Sequence, residues 1–205
     1  PAGRQRLVKL VLLGDAAVGK SCLAQRLGGG PATLLHEDHV PTAGPEILTR
    51  QLAVDGASVK LQVWDAAGGD LKVDPKICLP VLRGLDAALV VYDVASRASF
   101  DSVSSWMRLL QAHGGSQVSV MLVGNKADLP SRAVPPEQGR AVAQALRIPL
   151  AEVSALKDAD VSALLDTLLQ GHREPPCWAA AEREPGVLAA GGGGAAAGLG
   201  PWPAA

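Results

Sequence analysis

Residues 14–21 fit the pattern G-x-x-x-x-G-K-[ST], and this stretch constrains the fold of the chain more than any other. An apolar run at residues 7–13 predicts a strand before it, and a helix is predicted to begin near Lys20. Strand, glycine-rich loop and helix is the context in which this pattern binds phosphate, because the backbone N–H groups of the loop and of the helix start point at the anion. Lys20 can reach the β- and γ-phosphate oxygens, and the hydroxyl of Ser21 can bind Mg²⁺.

The predicted phosphate site comprises the whole loop and the next helical residue. Its members are Gly14, Asp15, Ala16, Ala17, Val18, Gly19, Lys20, Ser21 and Cys22. Gly14 and Gly19 permit backbone angles and close approaches that a Cβ atom would block. The alternative is a chance match in a glycine-rich chain, and the flanking strand and helix argue against it.

Composition and charge exclude several classes of protein. The chain has 205 residues and a net charge of −1, so no broad field favours nucleic acid or an anionic membrane as a partner. No apolar run reaches the roughly eighteen residues of a transmembrane helix. The three cysteines, Cys22, Cys78 and Cys177, are odd in number and widely spaced, which favours reduced thiols in a cytoplasmic compartment over a disulfide framework.

Strand and helix patterns alternate along the chain. Strands are predicted at residues 7–13, 46–54, 59–64, 87–92, 118–123 and 148–153. Helices are predicted from residue 19 or 20 to 28 and at residues 99–112, 136–146 and 158–170, with an irregular helix at 72–83. Ser99 is the predicted N-cap of the helix at 99–112. The order predicts an α/β fold, a mostly parallel six-stranded sheet with helices on both faces. Asp55 and Gly56 predict a hairpin turn, which makes one edge strand antiparallel.

These patterns divide the chain into three parts. Residues 1–5 form a short polar lead, residues 6–173 form one compact domain, and residues 174–205 form a tail rich in Ala, Gly and Pro. Such a tail buries little apolar surface, so we expect it to be disordered.

Asp65 ends the second arm of the predicted hairpin, and Ala66, Ala67 and Gly68 follow it. In an open α/β sheet, ligands bind at the carboxyl ends of the strands. Asp65 is therefore placed to hold Mg²⁺ through water, and the N–H of Gly68 is placed to meet a γ-phosphate. The alternative is that Asp65 is a simple turn residue, which the phosphate loop makes the weaker interpretation.

The sequence Asn-Lys-Ala-Asp follows another predicted strand and indicates a guanine base. The carboxylate of Asp128 can accept hydrogen bonds from N1–H and the exocyclic amino group of guanine, a donor pair that adenine lacks. Asn125 can tie this loop to the phosphate loop, and the stem of Lys126 can pack on the base. Ser154 and Ala155 can meet the base edge, with the N–H of Ala155 on O6. The alternative is a solvated surface turn.

The motifs of this chain, taken in their order along the sequence, resemble those of the Ras superfamily of small GTPases and most resemble those of its Rab-like branch. The matching stretches are residues 14–21, 64–68, 91–94, 99–100, 124–128 and 154–155. The resemblance implies the three-layer P-loop GTPase fold, GTP or GDP as ligand and Mg²⁺ as cofactor. It also implies two switch regions, residues 32–45 and 66–83, which contact an effector or another subunit of a complex, and an exchange factor as a further partner. Thr42 would bind Mg²⁺ and the γ-phosphate; the alternative is an ordinary loop threonine.

Several positions depart from the family pattern, and they bear on hydrolysis. Family members usually carry Gln after the Asp-x-x-Gly motif to orient the attacking water, and Gly69 occupies that position here. Ala66 replaces the usual Thr, and Ala16 and Ala17 stand where many relatives carry at least one Gly. Leu156 stands where a Lys is common. The resemblance therefore implies GTP binding with slow hydrolysis, and it assigns no catalytic residue.

The C-terminal stretch also departs from Rab and Ras relatives, which end in prenylated cysteines. Cys177 lies too far upstream to serve as an acceptor, so we expect no lipid anchor. In lacking the prenylated cysteines and the Gln, the chain resembles the Rab-like GTPases of intraflagellar transport. Short strings at residues 17–20 and 23–25 are similar to one subunit of the B complex. We therefore expect a cytoplasmic protein with a role in intracellular or ciliary transport.

Three functions fit these motifs. The first is a GTP-dependent switch that binds an effector through its switch regions. The second is a structural subunit of a complex whose nucleotide is a folding ligand with negligible turnover; Gly69 favours it, whereas Thr42 and Asp65 favour the switch. The third is an ATP-using phosphotransferase, which shares the phosphate loop but not the Asn-Lys-Ala-Asp loop.

Overall fold

The computed structural model describes residues 6–32, 45–54, 56–66, 80–115 and 117–171. In chain order the strands and helices are β1 (Arg6–Leu13), α1 (Lys20–Leu27), β2 (Glu46–Val54), β3 (Ala57–Asp65), β4 (Ala87–Asp93), α2 (Arg97–Asp101), α3 (Val103–His113), β5 (Ser119–Asn125), α4 (Pro136–Leu146), β6 (Leu150–Glu152) and α5 (Asp158–Gly171). Residues 80–82 form one further helical turn.

The six strands form one sheet in the order β2-β3-β1-β4-β5-β6. β2 pairs antiparallel with β3, and every other neighbouring pair is parallel, so the predicted mixed sheet is confirmed. The register pairs Leu12 of β1 with Asp65 of β3, and Asp93 of β4 with Asn125 of β5. The carboxyl ends of these strands therefore meet at one edge of the sheet, where ligands bind in open α/β sheets.

Alternate residues of β1 pack into two separate cores on opposite faces of the sheet. Val11 and Leu13 belong to the core covered by α3 and α4, whereas Leu10 and Leu12 belong to the core covered by α1 and α5. All four side chains are fully buried. The buried stripe of α5 comprises Val161, Leu164, Leu165 and Leu168. Helices on both faces of the sheet give the three layers that the sequence predicts.

The predicted helix at residues 99–112 is two helices, α2 and α3, and its predicted N-cap is wrong. Ser96 caps α2, since its Oγ accepts a hydrogen bond from the N–H of Ser99 at 3.3 Å. Ser99 is buried, and its Oγ accepts from the N–H of Asp93 at 3.0 Å and donates to the carbonyl of Ser96 at 2.8 Å. The Ser99 hydroxyl therefore binds the end of β4, a contact between elements that periodicity along one helix cannot reveal.

The last two strands differ in length from the prediction. β6 is shorter than residues 148–153, because the N–H of Ile148 still bonds to the carbonyl of Ala143 at the end of α4, at 3.0 Å. β5 extends further than predicted, so that Asn125 is the last residue of the strand rather than the first of the loop. The sheet therefore fixes the backbone of Asn125.

Several predicted features lie outside the described residues. They are the lead at residues 1–5, Asp55 of the hairpin turn, most of both switch regions, and the tail at residues 174–205. These stay predictions. In the parts of the chain that the structure describes, no helix is long and apolar enough to cross a membrane.

Tyr92 on β4 explains why two glycines lie beside it. A Cβ atom at Gly124 of β5, or at Gly139 of α4, would lie 2.7 Å from the Tyr92 Oη. The ring is fully buried, and Oη has no hydrogen-bond partner among the described residues. Burial raises the pKa of Tyr92 to about 12, so the hydroxyl stays protonated at neutral pH.

We expect Gly139→Ala to reduce the free energy of unfolding by about 1–3 kcal/mol, although alanine is the better helix former, because the added methyl group overpacks against Tyr92. Tyr92→Phe removes the clashing oxygen and should restore most of this loss in the double variant. Chemical denaturation of the single and double variants measures the coupling.

Ala141→Gly is the matched control, because this position in α4 is exposed. It should cost about 1 kcal/mol through helix propensity alone. A Gly139→Ala variant at least as stable as the parent protein would contradict the packing described for Tyr92.

Candidate functional site

The loop between β1 and α1 packs against two other strands through its glycines. Gly14 has a φ of +153°, and a Cβ atom there would lie 2.2 Å from the carbonyl oxygen of Val91 in β4. Gly19 has a φ of +90°, and a Cβ atom there would lie 2.3 Å from Nδ2 of Asn125. Neither contact leaves room for a side chain. The two glycines therefore lie at the two points where the loop contacts the carboxyl ends of β4 and β5.

Ala17 adopts left-handed backbone geometry without being glycine. Its φ is 62°, a conformation that costs a residue with a Cβ atom about 1 kcal/mol. The carbonyl of Ala17 accepts a hydrogen bond from Nζ of Lys126 at 2.8 Å. Ala16 and Ala17 are both exposed at the tip of the loop. The contact from Lys126 helps to hold the tip in this unfavourable geometry.

Two charged residues of the loop are held by specific hydrogen bonds. Lys20 is 6% exposed, and its Nζ donates to the carbonyl of Asp15 at 2.7 Å. The carboxylate of Asp15 accepts a hydrogen bond from Nε1 of Trp106 on α3 at 2.9 Å. The ammonium group therefore lies folded over the loop, where an anion would be a stronger acceptor than a neutral carbonyl.

Asn125 and Lys126 connect the carboxyl end of β5 to the phosphate loop. Nδ2 of Asn125 donates to the carbonyl of Val18 at 2.9 Å, which is the link that the sequence predicts. Nζ of Lys126 forms an ion pair with Oδ2 of Asp93 at 2.8 Å, in addition to its bond to the loop tip. With Asn125 only 1% exposed, the two loops are joined through a buried contact.

Ser154 and Ala155 form a third loop, which follows β6 and is locked in place. The N–H of Ser154 donates to Oδ2 of Asp160 in α5 at 2.9 Å. The N–H of Leu156 donates to Oγ of Ser154 at 3.2 Å. Ser154 and Ala155 are both buried, and both line the adjoining cavity.

A cavity of about 210 Å³ lies where these loops meet. Seven of the predicted site residues line it: Gly19, Cys22, Asn125, Lys126, Asp128, Ser154 and Ala155. Two apolar residues, Leu129 and Leu156, also line it and are 37% and 51% exposed. The carboxylate of Asp128 is exposed beside them. The cavity therefore has apolar walls and a single carboxylate at its margin, and it adjoins the phosphate loop through Gly19.

Cys22 contributes an uncharged thiol to this cavity. Burial raises the pKa of the Cys22 thiol, the positive charge of Lys126 lowers it, and the negative charge of Asp65 raises it again. Because burial has the largest effect, the thiol stays protonated at neutral pH. It lines the cavity as a weakly polar group.

Asp65 and Ser21 are the described members of the predicted metal set. Asp65 is the last residue of β3, is 1% exposed and pairs in register with Leu12, just before the phosphate loop. Ser21 is the second residue of α1. A buried carboxylate and a hydroxyl at the carboxyl edge of the sheet are oxygen donors of the kind that Mg²⁺ prefers, so this donor set fits that ion.

Three predicted residues lie outside the described part of the chain. They are Thr42, Gly68 and Gly69. Of the two switch regions, the structure describes only Ala32 and Pro45 in the first, and Ala66 and residues 80–83 in the second. The roles predicted for Thr42, Gly68 and Gly69 therefore stay predictions.

Sequence reasoning missed two residues that shape the site. Leu129 was missed because a single apolar residue in a loop has no periodic signal. Trp106 is 1% exposed and follows Val103 by three residues on the buried face of α3, so periodicity could have placed it in the core. Its hydrogen bond to Asp15 joins residues 91 positions apart, and nothing in the local pattern predicts that contact.

Comparison with known proteins agrees with this geometry. The family model described as Ras family matches residues 9–174 of the chain. The Ras-related protein Rab2BV of Beta vulgaris is 38% identical over 164 residues, which cover 80% of this chain and 74% of that protein. The Ras-related protein RAB1BV of Beta vulgaris is 38% identical over 157 residues, 76% of this chain and 71% of that protein. The chain therefore belongs to the Ras family and is a Rab-like small GTPase.

Proposed function

We propose that the chain is a guanine-nucleotide switch that holds GTP and hydrolyses it slowly. Members of the Ras family generally bind GTP and GDP with Mg²⁺ and interact with effectors and exchange factors. The observation that carries the proposal is the hydrogen bond from Asn125 Nδ2 to the carbonyl of Val18. It joins the phosphate loop to the cavity, so that one nucleotide can occupy both.

Base recognition rests on the groups around the cavity. The exposed carboxylate of Asp128 can accept hydrogen bonds from N1–H and the 2-amino group of guanine. The N–H of Ala155 can donate to O6, and the stem of Lys126 can cover one face of the ring. The volume of about 210 Å³ is below that of a pocket for a whole drug-sized ligand and suits the base part of a nucleotide.

Phosphate and metal binding rest on the adjoining loop. The N–H groups of residues 14–19 and the start of α1 attract anions, and Lys20 can turn from the Asp15 carbonyl to a phosphate oxygen. Ser21, Asp65 and Thr42 would hold Mg²⁺, Asp65 through water. When bound, this ion neutralises charge on the phosphate oxygens.

Slow hydrolysis rests on Gly69, which stands where relatives carry Gln and has no side chain to orient the attacking water. The exposed methyl group of Ala16 can also crowd an arginine supplied by an activating protein. The same features favour a second candidate, a nucleotide-loaded structural subunit with negligible turnover. In that case the nucleotide stabilises the folded domain by mass action.

The cellular role is a further part of this proposal. We infer a cytoplasmic protein of intracellular transport, with intraflagellar transport supported by the short strings at residues 17–20 and 23–25. Residues 32–45 and 66–83 would contact the effector or complex subunit, and an exchange factor would act on the same face. With a net charge of −1, the chain has no general attraction for nucleic acid.

Asp128→Asn should weaken GDP binding at least about a hundredfold, because it removes a charged acceptor for two guanine donors. The same change should raise the affinity for xanthosine diphosphate, whose 2-oxo group suits an amide donor. Competition against a fluorescent GDP measures both affinities.

Asp166→Asn is the control for this experiment, since Asp166 is an exposed carboxylate on α5 that does not line the cavity. It should leave both affinities unchanged. If Asp128→Asn left GDP affinity at the parent value, the assignment of base recognition would be wrong.

Gly69→Gln should accelerate single-turnover GTP hydrolysis about 10- to 100-fold, because it restores a side chain that can orient water. GTP-loaded protein is mixed with Mg²⁺ and phosphate release is followed for both forms. Gly69→Ala is the control and should stay slow. A parent protein that hydrolyses GTP as fast as a Gln-bearing relative would refute slow turnover. A Gln variant that stays as slow as Gly69→Ala would favour the structural subunit.

A further inference from the structure

Arg26 is a buried cation beside the candidate site, and none of the proposed nucleotide contacts involves it. It lies in the last turn of α1 and is 8% exposed. Its Nε donates to the carbonyl of Ala155 at 3.2 Å, and its Nη1 donates to the carbonyl of Gly30 at 2.7 Å. Its Nη2 forms an ion pair with Asp158 at the start of α5. One guanidinium therefore joins three segments of the chain.

We propose that Arg26 is a positioning residue that fixes Ala155 for recognition of the guanine O6 atom. This inference rests on the proposed function, in which the N–H of Ala155 donates to O6. The carbonyl held by Arg26 and this N–H belong to the same residue. The two groups lie in adjacent peptide planes joined at the Cα atom of Ala155. A displacement of the carbonyl therefore moves that atom and with it the N–H of a residue that lines the cavity.

The chemistry of the contact explains why an arginine occupies this position. A buried cation is tolerated only when it is paired and hydrogen-bonded, and here two carbonyls and a carboxylate accept from Nε, Nη1 and Nη2 of Arg26. The planar guanidinium directs its N–H groups along fixed lines, so it sets the orientation of its acceptors as well as their distance. A lysine ammonium in the same place would keep the charge but would lose that fixed geometry.

Arg26 is buried, but its ion-pair partner is exposed, so the ion pair can be removed without disturbing the packing around Arg26. The Asp158 side chain is 85% exposed, whereas that of Arg26 is 8% exposed. Asp158→Asn therefore removes the charge of one partner without opening a cavity. It leaves the two carbonyl contacts in place and should loosen the Ala155 loop only partly.

The same guanidinium also fixes the chain where it leaves α1. Gly30 lies just before residues 33–44, most of the first predicted switch region, and its N–H bonds to the carbonyl of Gln25 at 2.8 Å. Arg26 holds the carbonyl of the same residue. The base-recognition loop and the entrance to that switch region are therefore positioned by one side chain.

The test compares dissociation rates of GDP and 6-thio-GDP, whose sulfur is a poor hydrogen-bond acceptor in place of O6. Rates are measured by filter binding with excess competing nucleotide and saturating Mg²⁺. The variants are Arg26→Gln, Arg26→Lys and Asp158→Asn. Arg97→Gln, which removes an ion pair with Asp101 on α2, is the matched control.

Arg26→Gln should release GDP about tenfold faster, because the Ala155 loop loses a charged donor. It should release 6-thio-GDP less than about threefold faster, since that ligand gains little from a well-placed N–H. Arg26→Lys should fall between Arg26→Gln and the parent protein, and Asp158→Asn should accelerate GDP release about threefold with the same preference. Arg97→Gln should change neither rate.

A general loss of structure would accelerate release of both nucleotides equally, and that result would overturn the inference. Unchanged GDP release in both Arg26→Gln and Asp158→Asn would overturn it as well. If Arg26→Gln does not fold, the exposed Asp158→Asn variant decides the question by the same ratio. In all these cases the proposed function would stand if the parent protein binds GDP and Asp128→Asn loses that binding. A parent protein that binds no guanine nucleotide would refute both the proposed function and the role of Arg26.

Discussion

The buried contact between Asn125 and the phosphate loop is the constraint on which the rest of the site depends. Nδ2 of Asn125 donates to the carbonyl of Val18 and lies where a Cβ atom of Gly19 would be. The contact is possible only because β1 and β5 lie on either side of β4 with their carboxyl ends at one edge. Lys126 strengthens it through the carbonyl of Ala17 and through Asp93. The predicted phosphate loop and the cavity thus form one continuous surface.

The fold was largely predictable because buried parallel strands are continuous apolar runs. The strand at residues 87–93 is buried at every position, and an apolar run of this short length favours a buried strand over a helix. The hairpin followed from Gly56, whose φ of +77° suits the tight turn. The division of residues 97–113 into two helices was not predictable, because it depends on the hydroxyl of Ser99 binding the end of β4.

Seven of the nine residues that line the cavity carry motifs that the sequence singled out, whereas the contacts that support them were not predictable. Motif spacing placed Gly19 in one loop and Asn125 and Asp128 together in another, and the sheet brings the two to one cavity. The hydrogen bonds from Trp106 to Asp15 and from Arg26 to Ala155 join residues 91 and 129 positions apart. Such contacts depend on packing in three dimensions, and no local pattern of residue types encodes them.

The central claim is that this site holds a guanine nucleotide. The most direct measurement is to denature the purified protein and identify and count the nucleotide released, by chromatography against standards. We expect close to one guanine nucleotide per chain, as GDP or GTP, with no adenine nucleotide. Protein that releases no nucleotide and also fails to take up GDP added with Mg²⁺, or that takes up ATP in preference, would contradict the account.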